Sequence, residues 1–318
     1  MPDPVLSGHC PQCLIRTSLT AAFSPTEPSL DAPLVFLRSF GDYELLEEVA
    51  RGGMGVVYRA WQRSLKRQVA VKMLLAGEFA SAAFVRRFRQ EAEAAANLRH
   101  PNIVSIYEVG QHDGQHFFSM EFIAGPNLAE LVRERPLPAR AAAAYLKTIA
   151  EAVAFAHKHG TLHRDLKPSN VLIDPVTDQP RITDFGLARR FADSESLSQT
   201  QSEARSWELT RTGQALGSPA YMAPEQASGR ATVGPAADLY SLGALLYHLI
   251  TGRPPFQSDT IAETLRQVQE QEPIAPRRLN PTVPEALQTI CLKCLEKEPA
   301  RRYASAQALA DDLGRFLA

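Results

Sequence analysis

Two aspartates and one asparagine bracket a short stretch of this chain: Asp165 and Asn170 in HRDLKPSN, residues 163–170, and Asp184 in ITDFG, residues 182–186. Between them runs NVLID, residues 170–174, whose branched apolar residues suit a short strand. Carboxylate and amide oxygens delivered at strand ends can converge on a hard cation, and magnesium bound to a polyphosphate suits that set. Upstream, VARGGMGVVYRAW, residues 49–61, places Gly52, Gly53 and Gly55 within four positions. Backbone amides without side chains can approach phosphate oxygens, so the glycines near the tip are expected to need close approach or a positive φ. Ala50 stands where the spacing of such loops would begin with one more glycine. If the backbone is extended there, a methyl group costs little.

These groups must be held by a scaffold, and the pattern changes twice along the chain. Residues 1–42 form a leader; residues 1–40 of it contain six prolines and no sustained periodicity. Folded structure is expected from Tyr43. YELLEEVA, GVVYRAW, RQVAVKML, IVSIYEVG and HFFSMEFI read as five strands, with one helix, AFVRRFRQEAEAAANL, inserted after the third. Beyond Gly125 the pattern is mainly helical. AAAAYLKTIAEAVAFAHKHG carries one apolar face and ends at Gly160, a left-handed cap position, while DLYSLGALLYHLITG is apolar nearly all round and should be buried on every side. The expected fold is α+β and two-lobed: a small antiparallel lobe over residues 43–124 and a larger helical lobe over residues 125–318.

Lys plus Arg number 34 against 35 Asp plus Glu, which gives no long-range attraction to nucleic acid or an anionic membrane. No run approaches the roughly 18 apolar residues that span a bilayer, so the chain reads as cytoplasmic with no membrane segment. The four cysteines form two C-x-x-C pairs. Cys291 and Cys294 fall on the apolar stripe of a helix with Leu287, Ile290 and Leu295, which makes them core. Cys10 and Cys13, in HCPQC, could form half of a zinc ribbon or a plain turn; no second half follows within the leader.

The order of motifs is more specific than any one of them: glycine loop, VAVK ending at Lys72, a helix bearing Glu91, HRDLKPSN, DFG and then APE at residues 223–225. In this order the chain resembles a protein kinase catalytic domain from about Tyr43 to its C-terminus. GGMGVVYRA, LRHPNIV and GSPAYMAPEQ most resemble the eukaryotic-like serine/threonine kinases of bacteria. The resemblance implies ATP and Mg²⁺ as cofactors, and protein serine or threonine hydroxyls as acceptors. It places Val49, Ala50, Gly52, Gly53, Gly55, Val57, Ala70, Lys72 and Glu91 around the nucleotide, with backbone bonds to the base from Glu121 and Ile123 and Met120 behind them. Lys72 would reach the α- and β-phosphates, aimed by Glu91, with Glu93 a nearby rival. Asp165 would accept or orient the hydroxyl proton, Lys167 would contact the γ-phosphate, and Asn170 and Asp184 would hold magnesium. His163 and Asp238 are implied to position the loop, and Glu225 to pair with Arg302 rather than Arg301.

Between Asp193 and Thr212 lies a stretch with eight Ser or Thr, where the family's activation segments lie. Arg164, just before Asp165, makes sense if it meets negative charge, so phosphorylation at Thr210 and Thr212 is expected to order the segment. Ser218 resembles the residue that contacts Asp165 and substrate. Two copies would meet for phosphorylation in trans. Two other readings stand beside this one: a nucleotide-binding scaffold that transfers nothing, and a zinc-dependent interaction module at HCPQC. Bacterial relatives often continue into a membrane segment and sensor domains.

Overall fold

The computed structural model describes residues 38–52, 55–74, 92, 96–185, 219–229 and 233–318. All lie within Leu37–Ala318, the second of two units into which the chain divides. Six strands form the first sheet: β1 (Arg38–Phe40), β2 (Tyr43–Gly52), β3 (Gly55–Gln62), β4 (Arg67–Leu74), β5 (Ile106–His112) and β6 (Gln115–Glu121). Their order is β1-β2-β3-β4-β6-β5, antiparallel throughout. The expectation of five strands is therefore corrected to six. β1 lies before Tyr43, and its three residues are too few for alternation to show. Phe40 nevertheless anchors it, buried edge-on against the Phe117 ring at 5.2 Å.

The period of two places the chemistry. Along β4, Val69, Val71 and Met73 join a cluster with Phe40, Leu45 and Phe117, while Ala70 and Leu74 join Phe118 and Met120 in a second cluster. Lys72 shares the second parity, so its side chain leaves the sheet on the Ala70 side. The helix expected to carry Glu91 lies almost wholly outside the described residues, as do Gly53, Thr210, Thr212, Ser218, Cys10 and Cys13.

The second lobe contains α1 (Leu128–Leu131), α2 (Ala139–Lys158), the hairpin β7 (Val171–Ile173) and β8 (Pro180–Ile182), α3 (Pro224–Ala227), α4 (Pro235–Thr251), α5 (Ile261–Glu270), α6 (Pro276–Leu279), α7 (Glu285–Cys294) and α8 (Ala306–Leu317). α2 ends before Gly160, whose φ of 72° is the left-handed value the sequence called for. α4 is the axis of the lobe: thirteen of its residues are buried, in agreement with its apolar pattern. α7 lies against it, with Cys291 and Cys294 buried as core thiols. Among the described residues no helix is long and apolar enough to cross a membrane.

Glu225 of α3 meets Arg302 in a two-pronged ion pair, Nη1 to Oε1 at 2.7 Å and Nη2 to Oε2 at 2.8 Å. Arg302 also donates to the carbonyls of Ala236, Glu296 and Lys297, so each of its five N–H groups has an acceptor. Removing one partner leaves a buried, unpaired charge. Arg302→Met is expected to lower the unfolding free energy by about 3–5 kcal/mol, whereas Arg301→Ala, at an exposed position, changes it little. Urea midpoints read both, and equal losses would contradict the assignment.

Candidate active site

The loop 163–170 leaves α2, makes one 3₁₀ turn at Pro168–Asn170 and enters β7. Its backbone is bolted to α4 through Asp238, a carboxylate only 1% exposed. The N–H of His163 donates to Oδ2 at 2.9 Å and that of Arg164 to Oδ1 at 2.8 Å. His157 Nε2 adds a third contact to Oδ2 at 2.8 Å. Burial works to raise the Asp238 pKa. The His157 hydrogen bond and charge and the Arg164 N–H outweigh it and hold the carboxyl below its ordinary value.

His163 is fully buried between this loop and the DFG segment. Its Nδ1 accepts the Asp165 N–H at 3.3 Å, so Nε2 carries the proton and donates to the Thr183 carbonyl at 3.0 Å. Burial lowers its pKa, against the smaller opposing effects of Asp238 and Asp165. Both ring nitrogens are engaged, so His163 joins two segments and does not act as a general base.

Asp165 faces Lys167, whose Nζ donates to Oδ2 at 2.8 Å. Asn170 Nδ2 donates to the Asp165 backbone carbonyl at 2.8 Å, so its Oδ1 is the end of the amide able to ligate a cation. The Thr183 N–H donates to the Asn170 carbonyl at 3.0 Å, so the next residue, Asp184, is tied to the same loop. Asp184 has φ 61° and accepts from Lys72 Nζ at 2.6 Å. Burial pushes the Asp184 pKa up, but the Lys72 charge and hydrogen bond prevail and keep it low. The Lys72 ammonium also lies 5.8 Å from the Phe118 ring centre. Asp184 and Asn170 carry hard oxygen donors on segments tied by the Thr183–Asn170 backbone bond, a set that fits magnesium.

Val57 and Ile123 pack against the cluster of Ala70, Phe118 and Met120, which brings four of the predicted base-binding residues to one apolar wall. Met120 is 8% exposed and backs a small cavity shared with Thr183, Asp184 and Phe185. Val49 is exposed, Ala50 of β2 pairs with Val57 of β3, and Gly52 pairs with Gly55. Ala50 is not among the residues of positive φ, as its extended position requires. Gly55 has no positive φ either, and a Cβ there would stand 2.3 Å from the Met73 carbonyl oxygen. The glycine is demanded by the neighbouring strand.

Three residues at the site escaped the sequence reading. His157, in the last turn of α2, meets Asp238, Gln226 donates from Nε2 to the Arg164 carbonyl at 3.1 Å, and Arg181 on β8 reaches the Glu121 carboxylate. Each is polar beside a motif, with no periodicity to mark it. Among the described residues Arg164 Nε is buried without a hydrogen-bond partner.

A small lobe carrying Lys72 and a helical lobe carrying a bolted aspartate loop, with Asn170 and Asp184 on segments tied to it, define a two-lobed domain. Residues 43–313 match the family model of the protein kinase domain, and the chain belongs to that family. It is 38% identical over 282 residues to the serine/threonine-protein kinase PrkC of Bacillus subtilis, covering 88% of this chain and 41% of that protein. It is 36% identical over 278 residues to PknB of Mycolicibacterium smegmatis, covering 86% and 42%. The crystal structure of the Mycobacterium tuberculosis PknI kinase domain superposes with a TM-score of 0.67 at 27% identity, over 89% of this chain and 99% of that one. The chain thus spans about two-fifths of the length of the curated relatives it matches.

Gly55→Ala is expected to cost about 1–3 kcal/mol of stability by forcing β3 off β4 beside Lys72. Ala50→Gly should shift stability by less than about 1 kcal/mol. Denaturant midpoints compare the two, and a Gly55→Ala protein as stable as wild type would contradict the strand-contact explanation.

Proposed function

We propose that this domain is an active serine/threonine protein kinase that transfers the γ-phosphoryl of ATP to protein serine or threonine hydroxyls. The observation that carries it is the joint placement of Asp165 with Lys167 and of Asp184 with Lys72 on segments tied to each other. Phosphoryl transfer asks a protein to align two oxygens and offset charge, with little covalent chemistry of its own. Lys167 beside Asp165 would meet the γ-phosphate while the Asp165 carboxylate accepts or orients the hydroxyl proton. Lys72 would move from Asp184 to the α- and β-phosphates, releasing the Asp184 carboxylate. Asn170 Oδ1 and Asp184 would hold magnesium, which neutralises charge on the phosphate oxygens when bound. The Val57, Ala70 and Ile123 wall would receive the base, with backbone groups of Glu121 and Ile123 reading its edge.

Regulation by the segment before APE belongs to the same proposal. The unpartnered Arg164 Nε supports a negative charge arriving beside Asp165, and phosphate on Thr210 or Thr212 would supply it. A second copy of the domain would deliver that phosphate. PrkC and PknB are named serine/threonine-protein kinases, in keeping with Lys167.

Incubation with labelled ATP, Mg²⁺ and a generic Ser/Thr substrate tests the assignment. Asp165→Asn is expected to lose about 10²–10⁴-fold in transfer while still binding ATP. A wild-type protein that binds ATP and transfers nothing would overturn it. Phosphopeptide mapping of the active protein should find phosphate at Thr210 or Thr212, and its absence from both would remove the regulatory part.

A further inference from the structure

Between β6 and α1 the chain makes a closed circuit. From Glu121 it runs through Phe122, Ile123 and Ala124 to Gly125, Pro126 and Asn127, where it is fastened to β7. The Ile173 N–H donates to the Pro126 carbonyl at 2.8 Å, and Asn127 forms an antiparallel bridge with Leu172. Approach is so close that a Cβ on Gly125 would stand 1.8 Å from the Ile173 carbonyl oxygen, which only glycine permits. Leu172 pairs across the hairpin with Arg181 of β8. Arg181 Nη2 then donates back to the Glu121 carboxylate and completes the ring. Arg67 is engaged elsewhere: its Nε donates to Gln62 at 2.8 Å and its guanidinium covers the Tyr107 ring at 3.7 Å.

The ion pair is sheltered, with side chains 17% and 28% exposed, so it is screened less than a surface pair. It also joins the two lobes, because Glu121 ends the first sheet and Arg181 belongs to the second. We propose that Arg181 is a positioning residue for nucleotide binding. By closing the circuit it holds residues 122–124 in a preorganised path, so that the Glu121 carbonyl and Ile123 backbone meet the base without first being ordered. This rests on the nucleotide-binding reading of the same groove.

The test combines steady-state kinetics with amide hydrogen exchange in the nucleotide-free protein. Arg181→Met keeps the aliphatic stem, Arg181→Lys keeps the charge, and Glu121→Gln breaks the pair from its other side without touching the main chain. Arg181→Met is expected to raise KM for ATP about five- to tenfold with kcat changed less than about twofold, as loss of one charge-assisted bond used only for positioning predicts. Arg181→Lys should recover most of that loss, and the Arg181→Met, Glu121→Gln double variant should be no worse than either single. The Glu121 and Ile173 amides, bonded to the Ser105 and Pro126 carbonyls, should exchange about tenfold faster in Arg181→Met, as local opening becomes easier. Unchanged KM and exchange, additive losses, or a parallel fall in kcat would each overturn the proposal. A wild type that shows no transfer counts against the kinase assignment, and the exchange rates then decide the circuit by themselves.

Discussion

The Asp238 carboxylate receives two backbone N–H groups of the loop 163–170 and the His157 ring, all within 2.9 Å, from the first turn of a helix buried on every side. A charge placed there is supported by the helix dipole as well as by its three donors, which offsets the cost of burying it. Everything that positions Asp165 descends from this contact. The loop cannot shift without stripping acceptors from two buried amides, and Arg164 is held at φ 66° by the same two bonds. Rigid α4 thus fixes where the Asp165 carboxylate lies.

From there the order spreads through backbone bonds. His163 links the loop to Thr183, Asn170 receives the Thr183 N–H, and Asp184 follows in the chain. Asp184 in turn reaches Lys72, which shares its face of the strand with the apolar Ala70 and Leu74. The helical lobe therefore carries the aspartates and asparagine as one bonded body, while the lysine rides on the sheet. Among the described residues the ion pairs between lobes at the site are Lys72–Asp184 and, at its edge, Arg181–Glu121. Ion pairs of this kind can exchange partners when a polyphosphate enters, which a packed apolar seam could not do as readily.

Motif order carried most of the site. Lys72, Asp165, Asn170 and Asp184 are legible because each sits beside a recognisable local pattern, and α4 is legible because a helix apolar on all sides has one place to go. The Glu225–Arg302 pair was also anticipated. What escaped depends on contacts between segments distant in sequence. Arg181 gains its meaning from Glu121, sixty positions away, and His157 from Asp238, eighty-one away. Strand β1 was hidden by its length. At Gly55 a second constraint was hidden because it comes across the strand pair, from the Met73 carbonyl, and not along the local sequence.

If Asp238 governs the site, an isosteric change that keeps its volume but spoils its acceptors must reach the chemistry. In Asp238→Asn, the amide N–H₂ necessarily faces at least one of the donors that the carboxylate now receives. Measurement of kcat for phosphoryl transfer together with the Kd for MgATP tests this most directly. The account predicts that kcat falls by about 10–100-fold, as displacement of the loop misaligns Asp165, while Kd changes little. Wild-type kcat in Asp238→Asn, or a loss confined to ATP binding, would contradict it.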